Sequence, residues 1–121
     1  MKTPKLYRDS RPWGEELWLT RETGSPSMVK IITVHPGEAL SLQRHQHRDE
    51  YWRILEGNGT AEIGPNKIPL SPQQDCFVPR GTTHRIESGS LGLVFLELAF
   101  GDFDEHDIER LADKYGRAGT V

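Results

Sequence analysis

The stretch from Gly37 to Trp52 concentrates residue types that bind metals and move protons. Gln43, His45, His47, Arg48 and Glu50 fall within eight positions. A strand through Gln43, His45 and His47 directs all three to one face, because alternate side chains of a strand share a side. If the chain turns after His47, Glu50 returns beside them on the next strand. Neutral imidazoles and oxygen donors converging in this way suit a divalent cation. A further donor has to come from elsewhere. His84 is placed to supply it, just after the rigid turn Pro79-Arg80-Gly81. A His-x-His pair alone is more often a solvated strand face, so the case rests on both segments together. His35 and His106 lack such neighbours and read as surface residues. Arg44 alternates with the donors and should point away from them.

Other positions carry chemistry of a different kind. Glu97 sits in the apolar run Leu93-Val94-Phe95-Leu96-Glu97-Leu98-Ala99-Phe100. A carboxylate there is costly unless it faces a polar cavity, and desolvation would raise its pKa into the range of a useful base. Cys76, the single cysteine, lies in a short apolar strand and reads as a buried filler. Trp13, Tyr51, Trp52 and Phe95 read as core residues before sugar-stacking ones.

Short strands have to position these groups. The expected strands are Val29 to His35, Ala39 to His45, Tyr51 to Leu55, Thr60 to Ile63, Lys67 to Leu70, Cys76 to Val78, His84 to Glu87 and Leu91 to Phe100. Breaks fall at Pro36-Gly37, Gly57-Asn58-Gly59, Gly64-Pro65-Asn66, Ser71-Pro72, Pro79 to Gly81 and Ser88-Gly89-Ser90. Many short strands with tight turns mean a sandwich or small barrel. Ile108, Leu111, Ala112 and Tyr115 recur at i, i+3, i+4 and i+7, which predicts a C-terminal helix capped by Asp104 and ended by Gly116. The expected layout is a single domain over 1–121: an N-terminal arm or strand over 1–26, a β-barrel over 27–101, and a helix and tail over 102–121.

The whole chain has 121 residues, and its 15 Lys+Arg against 18 Asp+Glu leave a net charge of -3. That balance argues against holding nucleic acid or an anionic membrane by bulk charge. No apolar run reaches the ~18 residues of a membrane span, and the first residues lack a secretory pattern. With one cysteine and no internal disulfide, a cytoplasmic location is the expectation.

The spacing resembles the cupin family. Its first motif is matched by Gly37, Gln43-Arg44-His45, Glu50 and Gly57 in every interval, with Gln43 at the usual first histidine. Its second is matched by Pro79, Gly81 and His84, with Ser88 for the usual asparagine. The resemblance implies an all-β, double-stranded β-helix (jelly-roll) barrel. A closer resemblance spans nearly the whole chain, to the C-terminal cupin domain of type II phosphomannose isomerases, often fused to a mannose-1-phosphate guanylyltransferase. It rests on Arg11 to Gly14, Leu40 to Gln43, His45 to Trp52, Pro79 to Arg85, Asp107-Ile108 and Tyr115 to Arg117. No Gly-rich phosphate loop opens the chain, so a stand-alone domain is expected. The sequence departs from that family's pattern at Gln46, at Tyr51 and after Glu97, positions that the resemblance implies touch the cavity.

This resemblance implies one divalent metal held by Gln43, His45, Glu50 and His84. Zinc heads the list, with manganese, iron, cobalt and nickel compatible. It implies interconversion of mannose 6-phosphate and fructose 6-phosphate through an enediol, with Glu97 or His47 as base. Arg48, Lys30, Arg85 and Arg117 are the candidates for the phosphate. A homodimer is expected, as cupins of this size commonly pair. The alternatives are a metal-binding cupin with other chemistry, such as a dioxygenase or another carbohydrate enzyme, and a non-catalytic sugar-binding module.

Overall fold

Two long strands dominate the chain and wrap it into a curled sheet. They are β5 (Arg48–Ile63) and β8 (His84–Gly101), antiparallel from Arg48 opposite Gly101 to Ile63 opposite His84. The computed structural model describes residues 7–20, 28–102, 104, 106–113, 115 and 116. Within them β1 (Tyr7–Arg11) and β2 (Gly14–Thr20) form a hairpin that continues onto β3 (Met28–Val34), and β3 pairs with the second half of β8. The described part of the expected arm is thus strand built into the sheet. Short β4 (Leu42–Arg44) joins the start of β8, and β9 (Glu109–Ala112) joins β4. On the other side β6 (Asn66–Leu70) and β7 (Asp75–Val78) pair with β5. The fold is the expected all-β cupin barrel.

Two expected breaks are not breaks. Gly57-Asn58-Gly59 and Ser88-Gly89-Ser90 lie inside β5 and β8, where the register shifts between Ile54 and Glu56 and between Gly57 and Gly59. Such bulges bend and twist a strand without ending it, which lets each long strand serve both walls of the barrel. Gly57 is required there. Its φ is +91°, and a Cβ would stand 2.0 Å from the Gly92 carbonyl oxygen. Only a residue without a side chain allows that approach.

The predicted C-terminal helix is a correction. Residues 109–112 are strand, and no helix occurs among the described residues. Four apolar positions over eight residues are too few to fix a period. The exposed edge of β4 offers backbone partners that an isolated short helix would lack. The capping residues still cap, but they cap turns: Asp104 accepts from the amides of His106 and Asp107, and Gly116, at φ +79°, donates to Asp113.

Strand alternation builds the core. Met28, Ile32 and Val34 of β3, Trp52 and Ile54 of β5, Cys76 and Val78 of β7, and Leu93, Phe95 and Ala99 of β8 all point inward and are buried. Each large side chain contributes about 1.5–3 kcal/mol of burial. Trp13 is also core, as expected, and Trp52 meets Phe95 edge-on at 5.8 Å. The same inward parity carries Glu16, Lys30, Glu50 and Glu97, all buried. Charges placed at core positions mark where the barrel interior stops being oil. No helix of the described residues is long and apolar enough to cross a membrane.

Candidate metal centre

Three strands and one turn bring the two sequence segments together. Gln43 on β4 is the direct register partner of His84, the first residue of β8. Glu50 lies at the start of β5, opposite both Val78 and Ala99. His45 follows β4, and the Gly81 amide donates to its carbonyl at 2.7 Å, so the Pro79–Gly81 turn is tied to the first motif. Gly81 has φ +78°, the left-handed conformation that lets the chain reverse before His84.

His45, Glu50 and His84 are buried, and one ligand atom from each lies within 4.8 Å of the others. His45 Nε2 is 3.3 Å from Glu50 Oε2, and His84 Nε2 is 3.4 Å from Glu50 Oε1. The far side of each ring fixes its tautomer. Nδ1–H of His45 donates to the Asp107 carbonyl at 2.6 Å, and that of His84 to the Thr82 carbonyl at 3.1 Å. With Nδ1 committed as a donor, each ring turns its Nε2 toward the Glu50 carboxylate and leaves that nitrogen as the atom able to ligate. Lone pairs facing one another across such distances call for a cation between them, so the three residues fit a metal ion and could hold one. Gln43 adds an amide. Its Nε2 donates to Ser41 Oγ at 3.1 Å, which turns its Oε1 the other way.

Arg48 is the cation already present. Its Nε donates to Glu50 Oε2 at 3.0 Å and its Nη2 to His45 Nε2 at 3.1 Å. A single lone pair on His45 serves either the guanidinium or an ion. Burial, against the pull of Glu50, lowers the His45 pKa from 6.5 to about 4, so this ring is neutral at physiological pH. Burial also pushes Glu50 up, but Arg48 and the two imidazoles outweigh it and hold that carboxyl below its ordinary value. Glu97 goes the opposite way: burial, then the charge of Glu50, raises it above the carboxylate range. Trp52 Nε1–H donates to Glu97 Oε1 at 3.2 Å.

The cavity beside this cluster has a volume of about 60 Å³, room for roughly four to six waters at ~10–15 Å³ each. Gln43, Arg48, Glu50, His84, Glu97, Lys30 and Arg85 line it. His47 does not. The chain bends at 46–47, so the strand expected through Gln43, His45 and His47 ends at Arg44, and His47 is exposed. Arg44 points outward to Glu109 at 2.6 Å, as its alternation predicts. Lys30 is buried against Glu16 at 3.1 Å. Arg85 Nη2 donates to the Ala112 carbonyl, while its buried Nε has no hydrogen-bond acceptor. Arg117 lies outside the described residues. Ser88, at the departed motif position, donates to the carbonyls of His35 and Glu38.

Sequence reasoning missed Arg11, Glu16 and Arg110, which also line the cavity. Glu16 had a signal, since it shares the inward parity of β2. Arg110 had none, because a helix was expected there. On β9 it pairs with Gln43, which itself pairs with His84, so the three stand abreast on one face.

Comparison with known proteins bears on the fold and the family. Similar solved structures include the capsular polysaccharide assembling protein CapF of Staphylococcus aureus, with TM-score 0.75, 20% identity, 89% of this chain and 34% of that one covered. A cupin-2 domain of Rhodospirillum rubrum gives TM-score 0.71 at 21% identity, over 87% of this chain and 76% of the other. At that identity they show the fold alone. Among sequences, the xanthan biosynthesis protein XanB of Xanthomonas campestris pv. campestris is 39% identical over 115 residues, 93% of this chain and 24% of its own length. The mannose-1-phosphate guanylyltransferase of Escherichia coli K12 is 38% identical over 109 residues, 88% and 22% respectively. The chain spans under a quarter of these relatives. The family described as mannose-6-phosphate isomerase C-terminal matches residues 3–113, and this chain belongs to it.

Proposed function

We propose that this domain is a metal-dependent aldose–ketose isomerase interconverting mannose 6-phosphate and fructose 6-phosphate through an enediol. The observation that carries the reading is a ready ligand set, His45, Glu50 and His84, of which Glu50 and His84 line one cavity together with the buried carboxyl of Glu97. A bound divalent ion supplies Lewis acidity to the sugar carbonyl and to the charge that develops on its oxygen. Zinc is the first ion to test, ahead of manganese, iron, cobalt and nickel.

The chain's own residues do the rest. In its ionised form Glu97 takes the proton from C2 of the aldose and returns it to C1 of the enediol, with the hydroxyl protons moving between O2 and O1. Trp52 holds the Glu97 carboxyl from one side. The apolar walls around Ile32 and Ile86 exclude water from the enediol. A cavity of this size leaves the phosphate toward the mouth. The half-buried Arg11, Arg85 and Arg110 are the cations there, with Lys30 and Arg48 deeper.

The test is a coupled assay of fructose 6-phosphate formation from mannose 6-phosphate, using chelated protein reloaded with each ion. Turnover that needs the ion and is lost in Glu50→Gln supports the reading. Stoichiometric metal without turnover on any hexose phosphate refutes it in favour of a binding module. Oxygen consumption on another substrate refutes it in favour of different cupin chemistry.

A further inference from the structure

His45 is the one candidate ligand among His45, Glu50 and His84 that no strand holds. β4 stops at Arg44, and the amides of the bend after His45 have no ladder to join. The amides of Gly81 and Asp102 hold the His45 and His47 carbonyls, and a single distant residue takes the two bend amides. Asp107 Oδ1 accepts from the Gln46 amide at 2.9 Å, and Oδ2 from the His47 amide at 2.9 Å. The carbonyl of the same residue accepts Nδ1–H of His45 at 2.6 Å. Its position is set in turn by the turn from Asp104, whose carbonyl accepts the Asp107 amide at 3.0 Å, and by β9, which starts two residues on and zips onto β4.

We propose that Asp107 is a positioning residue of the metal centre, and that through it ion binding and docking of the C-terminal strand are coupled. The inference rests on the metal reading above and adds a partner to it. Asp107 fixes two things at once: the backbone that carries the ligand, and the tautomer that leaves Nε2 as the donor atom. Ligand rings usually need such an outer acceptor to hold their orientation. Coupling is reciprocal. Whatever holds β9 in place favours the ion, and the ion holds β9 in place.

The experiment compares two variants that both loosen β9. Asp107→Ala removes the two side-chain acceptors that hold the bend and, with them, the anchor that keeps the Asp107 carbonyl against His45. Glu109→Ala removes only the outward bridge to Arg44, which touches no ligand. Zinc affinity, measured by competition with a chelator, should fall about 10- to 100-fold in Asp107→Ala, with Glu109→Ala within about twofold of the unaltered protein. Asp107→Asn, which keeps one acceptor oxygen, should fall between. Zinc should also slow amide exchange at Gln46, His47 and 109–112, and that slowing should vanish in Asp107→Ala. Equal losses in Asp107→Ala and Glu109→Ala, or no loss in either, overturn the proposal. If Asp107→Ala does not fold, the same readings are taken on Asp107→Asn. Ring nitrogen chemical shifts of His45 in the metal-free protein separate this inference from the metal reading. A move from the Nδ1–H form toward a mixture in the variant supports positioning even if the chain takes up no zinc, whereas unchanged shifts refute it. Failure of the unaltered protein to bind zinc overturns the metal reading and the coupling together.

Discussion

Replacing Arg48 by methionine removes the permanent positive charge paired with Glu50 and leaves the stem packing nearly intact. The Glu50 side chain is 2% exposed and that of Arg48 8%. Water cannot take over the pairing. Stripping one partner from such a buried pair costs about 3–5 kcal/mol, a large share of the roughly 5–15 kcal/mol that holds a domain together. At ~3–5 °C per kcal/mol for a chain of this length, the chelated variant should melt about 9–25 °C below the unaltered chelated protein. Divalent ions should then restore more than they give the unaltered protein. At one zinc concentration, 100 times the dissociation constant of the unaltered protein, the ion adds about 2.7 kcal/mol to that protein, and a variant that binds the ion more tightly gains more. In the variant it also supplies the charge Glu50 has lost and meets no competitor for the His45 lone pair. The assay is thermal unfolding with chelator and then with saturating zinc. A chelated variant within about 2 °C of the unaltered protein would sink the reasoning, as would an equal zinc-induced shift in both.

Three further outcomes follow from the same geometry. The His45 pKa of about 4 against 6.5 when unfolded means the folded chain binds fewer protons between those values, so this residue's stabilisation is full above pH 6.5 and lost as pH falls through 4, ~3 kcal/mol at 1.36 kcal/mol per pKa unit. Glu97 acts with opposite sign, its raised pKa favouring the fold at low pH and losing that contribution as pH rises. The readout is therefore the difference in urea stability between metal-free protein and His45→Gln across pH 4–7.5, and a difference that does not change with pH counts against the burial argument. Gly57→Ala forces a Cβ to 2.0 Å from the Gly92 oxygen and should cost at least ~3 kcal/mol; a chemical-denaturation loss below ~1 kcal/mol would mean the bulge relaxes freely. Glu97→Gln should leave zinc stoichiometry at one per chain while lowering kcat about 10²- to 10⁴-fold, and an unchanged kcat would place the base elsewhere.

What the sequence disclosed, and what it hid, divides along one physical line. Gly37, His45, Glu50, Gly57, Pro79, Gly81 and His84 were legible because each owes its place to local constraint. A turn glycine has positive φ, and a ligand stands a fixed number of residues from that turn. Spacing along the chain is then a record of spacing in the barrel. Gly57 was legible as a motif member and misread as a turn, because a bulge and a turn ask for the same residue. Only the long pairing of β5 with β8 decides between them. The C-terminal segment failed for the converse reason. Ile108, Leu111, Ala112 and Tyr115 have a helical spacing, but the segment gains more from the open edge of β4, which lies some sixty-five residues back by the Arg44–Glu109 hydrogen bond. No local pattern encodes a partner at that distance. His47 failed with it, since the bend that exposes His47 is held by Asp107. The misread strand and the misplaced histidine are thus one error, and the clamp that explains both joins the C-terminal segment to the candidate metal centre.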